Sequence, residues 1–347
     1  MTSLPVSIPD LLCVCVEAAQ RACKKIREIR AGGDLAPIEK GDGTDALTGR
    51  PMADTQTEAD RQSERVIFSV IRRTYPDIRI IGEEQSSSSF ESDDDSAEPF
   101  SPRCASNMAN HAWSEVNGSM HAQMSELSIF VDPLDGTSEF INNRLHCVSV
   151  LIGIAKNGRR LAGVIARPFP DDVVCPHELM YGIVGAGVFI DGKRMDTPQA
   201  RASNHPIRVT TTLRRSNKVT DRFFELVPCE IIKEGGAGWK LWLVATGKAE
   251  CYQYARPGTK KWDVLAGDAI LSALGGVVTD ACGRQLSYTP DSLGNDWGIM
   301  ASLDKELHFK KFVPASHRAL VEAAADTTLT HWPAGLQIPS LKLDASL

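Results

Sequence analysis

Between residues 127 and 195 the chain strings together short, β-branched apolar runs: LSIFV, VSVLIGIA and LAGVIARP, followed by YGIVGAGVFIDGKRM. Each run is shorter than an ordinary helix, and turn-forming Gly, Asn and Asp lie between them. The spacing predicts strands, the last stretch being a hairpin. An antiparallel sheet then occupies the middle of the molecule, and its apolar face needs a cover. Two helices are expected to supply it. One runs from Ile8 to Ile29, with its basic residues gathered near the C-terminal end, where they suit the helix dipole. The other lies within DTQTEADRQSERVIFSVIRRTYPD, where Val66, Ile67, Val70 and Ile71 form an i, i+1, i+4, i+5 stripe and Pro76 stops the helix. IRIIGEE then reads as a short strand ending on two glutamates.

Past Asn204 the pattern changes. RVTTTL opens a strand, SNKVTDRFFELV a helix and CEIIKE another strand; GWKLWLVATG, WDVLAGDAILSALG and GGVVTDACG continue the alternation expected of an α/β unit. A chain of 347 residues accommodates two domains, here 1–204, helices on an antiparallel sheet, and 205–347. The polar stretch 85–125, with SSSSFESDDDSAE at its heart, carries too little apolar surface to offset its ordering entropy and is expected to be a flexible insertion. It follows Glu83 closely, so a lid and a loose excursion are both open readings.

A net charge of -6 with no basic stripe excludes long nucleic acid as a partner. A small phosphorylated ligand stays open, since local groups can hold a phosphate in an acidic protein. The first residues lack the basic start of a signal peptide, and no run reaches the roughly 18 to 20 apolar residues of a membrane span. Nine scattered cysteines fit no zinc spacing and read as reduced intracellular thiols, so a cytoplasmic location is expected. The terminal Ala345-Ser346-Leu347 is only a faint match to a peroxisomal tail, because its middle residue is not basic.

The acids are distributed more tellingly than the cysteines. Asp60 and Asp263 begin helices, Glu83 ends a strand, and Asp132 and Asp135 follow the strand in IFVDPLDGTSEF. Each alone is explained by a helix cap or a turn. Together they are less easily dismissed, because two carboxylates within about 4 Å repel by a few kcal/mol at an effective dielectric near 20, and sites that gather several hold a cation or a raised pKa. Oxygen ligands without His or Cys suit Mg²⁺, and Mg²⁺ points to phosphoryl chemistry. The Leu134 carbonyl lies between the two aspartates. Gly235, Gly236, Ala237 and Gly238 precede an apolar helix, whose start can present N–H groups to a phosphate, with Lys240 adding charge.

IFVDPLDGTSEF and KKWDVLAGDAIL, taken with TEADRQSE and IIGEE, resemble the metal-binding motifs of the Mg²⁺-dependent, lithium-sensitive phosphatase superfamily that includes inositol monophosphatase. The resemblance runs from the first helix to about Val321, leaving out the polar insertion and the tail. It implies a layered αβαβα sandwich combining α+β and α/β character, and two or three Mg²⁺ ions. It further implies Glu83, Asp132, Asp135 and Asp263 as metal-binding carboxylates with the Leu134 carbonyl, and Asp60 and Thr137 as the pair that holds and activates a water. Asp54 is a weaker candidate. VTTTLRRSNK, KEGGAGWKLWLVATGKAECY and RPGTKKWD resemble the bisphosphate nucleotidase branch, which implies removal of the 3'-phosphate from adenosine 3',5'-bisphosphate. Inositol polyphosphate 1-phosphatases, acting on inositol 1,4-bisphosphate, share much of the pattern and remain an alternative. By the same resemblance Gly136, Thr212, Gly236 and Lys240 contact substrate. Arg215 is expected among the substrate contacts too, gripping the distal phosphate bidentately, but it stands where the nucleotidase branch has His, which leaves the base contacts and substrate preference open; Trp239 fits either the core or the nucleotide pocket.

Overall fold

A computed structural model of the chain describes residues 5–44, 51–84, 120–171, 175–199, 205–213, 217–325 and 337–343. It begins with β1 (Val6–Ser7) and α1 (Ile8–Gly32). The Ser7 side chain accepts the Asp10 amide at 3.4 Å, Pro9 sits in the first turn where its missing N–H is harmless, and Gly33 closes the helix at φ 82°. An antiparallel ribbon follows, β2 (Ile38–Thr44) and β3 (Pro51–Gln56), and then α2 (Glu58–Thr74) and β4 (Arg79–Gly82). The buried stripe of α2 centres on Ser63, Glu64, Ile67, Phe68 and Ile71; Val66 and Val70 lie at its half-buried edge. The stripe is rotated because the helix buries polar side chains toward the sheet end.

Most of the polar insertion, 85–119, lies outside the described residues. Its last part is not loose: β5 (His121–Ala122) pairs antiparallel with β1, and the Ile8 amide donates to the Met120 carbonyl at 2.8 Å. From there the chain runs through β6 (Leu127–Asp135), the short α3 (Thr137–Ile141), β7 (Ser149–Lys156), β8 (Arg159–Ala166), β9 (Leu179–Ile183), β10 (Gly187–Ile190) and β11 (Lys193–Met195). The stretch expected to be one hairpin forms two successive ones, because Asp191-Gly192 turns the chain again after Gly185. These strands make a seven-stranded sheet in the order β11-β10-β9-β8-β7-β6-β4, antiparallel except for the β4–β6 pair.

The second sheet has five strands, ordered β13-β12-β14-β16-β15. It is built from β12 (Arg208–Thr212), α4 (Lys218–Leu226), β13 (Glu230–Glu234), α5 (Ala237–Ala245), β14 (Cys251–Tyr254), α6 (Lys261–Ala273), β15 (Val277–Thr279), β16 (Ile299–Ser302) and, after a short helical lead-in, α7 (Val313–Ala325). Helices α1 and α2 cover one face of the large sheet, α5 and α6 lie between the sheets, and α4 and α7 cover the outer face of the second. The expected αβαβα sandwich is therefore the observed one. One hydrophobic cluster runs from Leu151 and Ile165 of the large sheet through Trp242 and Ile270 to Ile299 and Ala301 of the second, so α5 and α6 pack on both halves.

Two strand glycines set how closely α6 approaches. Gly153 and Gly163 face each other across β7 and β8, and a Cβ at Gly163 would stand 2.2 Å from the Ala266 carbonyl oxygen. Backbone contact at that distance leaves no room for any side chain. Gly163→Ala should therefore lower stability by about 1–3 kcal/mol in urea denaturation. Gly32→Ala, where nothing lies within 4 Å, should be neutral or slightly stabilising. Equal midpoints for the two variants would remove this account of the spacing.

Candidate metal and phosphate site

Strand β6 carries Asp132 and Asp135 at its C-terminal end. The β6–β7 register shifts between these two residues, and their carboxylates lie close enough to interact electrostatically. The parallel neighbour β4 ends just before Glu83, whose amide donates to the Val131 carbonyl at 3.1 Å. Asp263 arrives from the first turn of α6 and accepts the Lys260 amide at 2.8 Å. Carboxylate oxygens of Glu83, Asp132 and Asp263 all lie within 4.8 Å of one another.

Such a cluster opposes its own ionisation. Burial, then the neighbouring Glu83, Asp135 and Asp263 carboxylates, push Asp132 well above the usual carboxylate range; burial and Glu83 do the same to Asp263. The Lys40 ammonium, reaching in from β2, offsets part of this charge, 3.1 Å from Glu83 and 2.6 Å from Glu84. Three hard oxygen donors, held at close range despite their repulsion, fit a small divalent cation.

Asp60 occupies the third position of α2 and is almost wholly buried. It accepts the Thr57 amide at 2.7 Å, and burial raises its pKa while the donors around it oppose the rise. The Thr137 hydroxyl, at the start of α3, lies 3.0 Å from Asp60 and 3.2 Å from the Leu134 carbonyl. Gly136 precedes it at φ 88°, the left-handed region that glycine enters without strain.

Asp135 is placed differently from its neighbours. Its oxygens accept the Ala237 and Gly238 amides, each at 2.8 Å, and the Ser149 hydroxyl at 2.9 Å, so it serves as the acceptor for the start of α5. Burial raises its pKa, against Lys240 and these donors. The three mutually close acids are Glu83, Asp132 and Asp263; Asp135 stands beside them. Lys240 is buried, its ammonium donating to the Glu234 carbonyl at 3.4 Å and to that of Gly236, and burial lowers its pKa.

A cleft of about 230 Å³ opens over this constellation, lined among others by Asp135, Thr137, Thr212, Gly236, Lys240 and Asp263. Gly136 lines it as well, so all of the expected substrate contacts except Arg215 meet here. Arg215 lies outside the described residues, and the side chain of Asp54 does too. Trp239 belongs to the core: it is buried, with the Arg167 guanidinium 4.7 Å over its ring. The residue pattern alone had not pointed to Lys40, Glu64, Glu84 or Ser149. Of these, Glu64 accepts the Glu84 amide at 2.8 Å from inside α2, and no hydrophobic pattern marked it because a polar side chain buried for hydrogen bonding leaves none.

A sequence model of the inositol monophosphatase family matches residues 9–320. The chain belongs to the inositol monophosphatase family. The human protein named 3'(2'),5'-bisphosphate nucleotidase 1 is 35% identical over 330 residues, 91% of this chain and 98% of that protein. Inositol monophosphatase 3 of Danio rerio is 27% identical, covering 91% of this chain and 84% of its own. Among solved structures, the extragenic suppressor protein suhB from Bartonella henselae superposes with a TM-score of 0.61 at 22% identity, over 87% of this chain and 96% of that one, which shows the shared fold. The chain is thus a phosphatase of a metal-dependent family, and its clustered carboxylates are a donor set of the kind such an enzyme requires. No helix among the described residues is long and apolar enough to cross a membrane.

The raised carboxyls carry a stability consequence with a definite sign. A carboxyl whose folded-state pKa is raised loses stability where it is ionised, so the penalty is absent below the unfolded value of about 4 and full above the raised one. In thermal unfolding with a chelator at neutral pH, Asp132→Asn should therefore melt at or above the parent. That advantage should fade as pH falls toward about 4. Added Mg²⁺ should raise the parent's midpoint by several degrees and the variant's by much less. Equal Mg²⁺ stabilisation of both proteins would remove Asp132 from the donor set.

Proposed function

We propose that this phosphatase is Mg²⁺-dependent and removes the 3'-phosphate from adenosine 3',5'-bisphosphate, giving AMP and inorganic phosphate. The observation that carries the reading is the convergence of Glu83, Asp132 and Asp263 beneath a cleft that also exposes Thr137 and Thr212. Glu83, Asp132, Asp263 and the Leu134 carbonyl would hold the metal, with Asp135 at the margin of the same donor set and Asp60 behind it. Two or three Mg²⁺ ions, when bound, supply positive charge for the phosphoryl oxygens and lower the pKa of water.

The chain's own groups then have defined tasks. Thr137 donates its hydroxyl proton to Asp60, which leaves the Thr137 oxygen free to accept a proton from the attacking water. Burial makes Asp60 a stronger base than a solvated carboxylate, which suits it to the far end of this relay. Water oxygen bonds to phosphorus as the bond from phosphorus to the 3' oxygen breaks in line; the departing oxygen takes a proton from solvent, and Asp60 returns the relayed proton to solvent. Asp135 keeps the start of α5 in place, and glycine at 236 lets that turn pack against the Cys147 carbonyl and the Asp135 carboxylate while it lines the cleft.

The nucleotide substrate is supported by two features. The relative sharing 35% identity over nearly its whole length is named a bisphosphate nucleotidase. A second cleft of about 320 Å³ adjoins the first at Thr212, lined by Thr211, Phe224, Ile231 and Lys233 together with the acids Asp221 and Glu225, so the pocket continues past the carboxylates along a mixed apolar and charged surface. A substrate longer than a single sugar ring has room to extend into that second cleft.

Phosphate release measured on adenosine 3',5'-bisphosphate, inositol 1,4-bisphosphate and inositol monophosphate decides the matter. The nucleotide should give the highest kcat/KM, activity should vanish without Mg²⁺, and millimolar Li⁺ should inhibit. Turnover confined to inositol phosphates would transfer the proposal to that substrate class. Thr137→Ala should lower kcat by about 10²–10⁴-fold with little change in KM, and a near-normal kcat would remove the Thr137–Asp60 relay.

A further inference from the structure

A second donor set lies just behind the glycine turn. His146 and Cys147 occupy the short helical turn Leu145–Cys147 before β7, and Glu234 is the last residue of β13. His146 Nε2 and Glu234 Oε2 are 3.2 Å apart, Cys147 Sγ and His146 Nε2 3.2 Å, and Cys147 Sγ and Glu234 Oε2 3.3 Å. One nitrogen, one sulfur and one oxygen therefore form a nearly equilateral triangle. A tetrahedral ion with Zn–N and Zn–O bonds of about 2.0–2.1 Å and a Zn–S bond of about 2.3 Å requires ligand separations of about 3.3–3.6 Å, so this triangle needs to widen by only a few tenths of an ångström.

From this geometry we infer that His146, Cys147 and Glu234 form a binding site for a Zn²⁺-class cation, distinct from the carboxylate site and sharing no residue with it. The donor types make the distinction chemical: a thiolate and an imidazole select zinc over magnesium, whereas the Glu83, Asp132 and Asp263 oxygens favour the harder ion. Supporting contacts hold the ligands in place. The His146 ring packs edge-on to Trp239 with centroids 6.0 Å apart, and Arg167 donates to the His146 carbonyl at 3.4 Å. His146 and Glu234 are each about a quarter exposed, at 28% and 25%, so the ion enters from their side while Cys147 forms the floor.

Without the ion the thiol is protonated, pushed up to about 12 by burial and by the Glu234 carboxylate. Binding converts it to a thiolate: the S–H bond breaks, a Zn–S bond forms, and one proton leaves to solvent. The site also sits where it can be felt by the catalytic end of the molecule. The Cys147 carbonyl lies against the turn that Gly236 makes, 2.3 Å from where a Cβ at Gly236 would stand, and 3.2 Å from the corresponding point at Gly136.

Co²⁺ titrated into the full-length protein, in the presence of excess Mg²⁺, provides the test. One equivalent should produce thiolate-to-cobalt charge-transfer absorption in the near ultraviolet, one proton should be released per ion, and one equivalent of Zn²⁺ should abolish the band. Cys147→Ser should lose the band entirely; His146→Gln, altered at a partly exposed position, should lose most of it and serves where the cysteine variant fails to fold. Absence of the band in the parent, or its persistence undiminished in either variant, would overturn the site.

Discussion

Asp135 ends a strand of the large sheet and accepts the first amides of the helix that lies between the two sheets. Other features of the site depend on that join. Its carboxylate also receives Ser149 from the neighbouring strand, so one side chain ties together β6, β7 and α5. The close approach requires glycine on the other side: a Cβ at Gly238 would meet Ser149 Oγ at 2.4 Å. Were Asp135 absent, two helix-start amides would be buried without an acceptor, a loss of about 1–3 kcal/mol each. The glycine turn and Lys240, which hang from the same helix start, would move with it.

Electrostatics gives the site its second property. Glu83, Asp132 and Asp263 come from two strands and a helix that pack for reasons unrelated to charge, chiefly the hydrophobic clusters on either side of the large sheet. Burial of that apolar area holds the acids together against their repulsion. The fold thereby stores an unfavourable interaction that a bound cation would relieve, and that would link binding to stability. Lys40 relieves a smaller part of it from the ribbon side.

Much of this was legible in the residues. The strand runs, the helices before and after them, and every acid of the central cluster stood out, because strand ends and helix starts leave characteristic patterns. Less visible was anything that depends on three-dimensional neighbours. CYQY, buried throughout β14, shows no alternation because both faces of that central strand are covered. The α2 stripe was displaced toward Ser63 and Glu64, since polar residues buried for hydrogen bonding carry no hydrophobic signal. Asp135 looked like the twin of Asp132, and only the arrival of Ala237 and Gly238, about a hundred residues later, separates their surroundings. The same holds for Glu234 beside His146 and Cys147.

Asp60 and Asp263 share a local geometry. Each is the third residue of its helix, and each accepts the backbone amide three positions earlier, at 2.7 and 2.8 Å. The bond that begins the helix also aims the carboxylate. Reach is consequently fixed at one methylene: a glutamate in either place would have to abandon the cap to point the same way, or keep the cap and carry its oxygens elsewhere. Sequence drift at these two positions is therefore constrained twice over, once by secondary structure and once by the pocket, and neither constraint can be relaxed without the other.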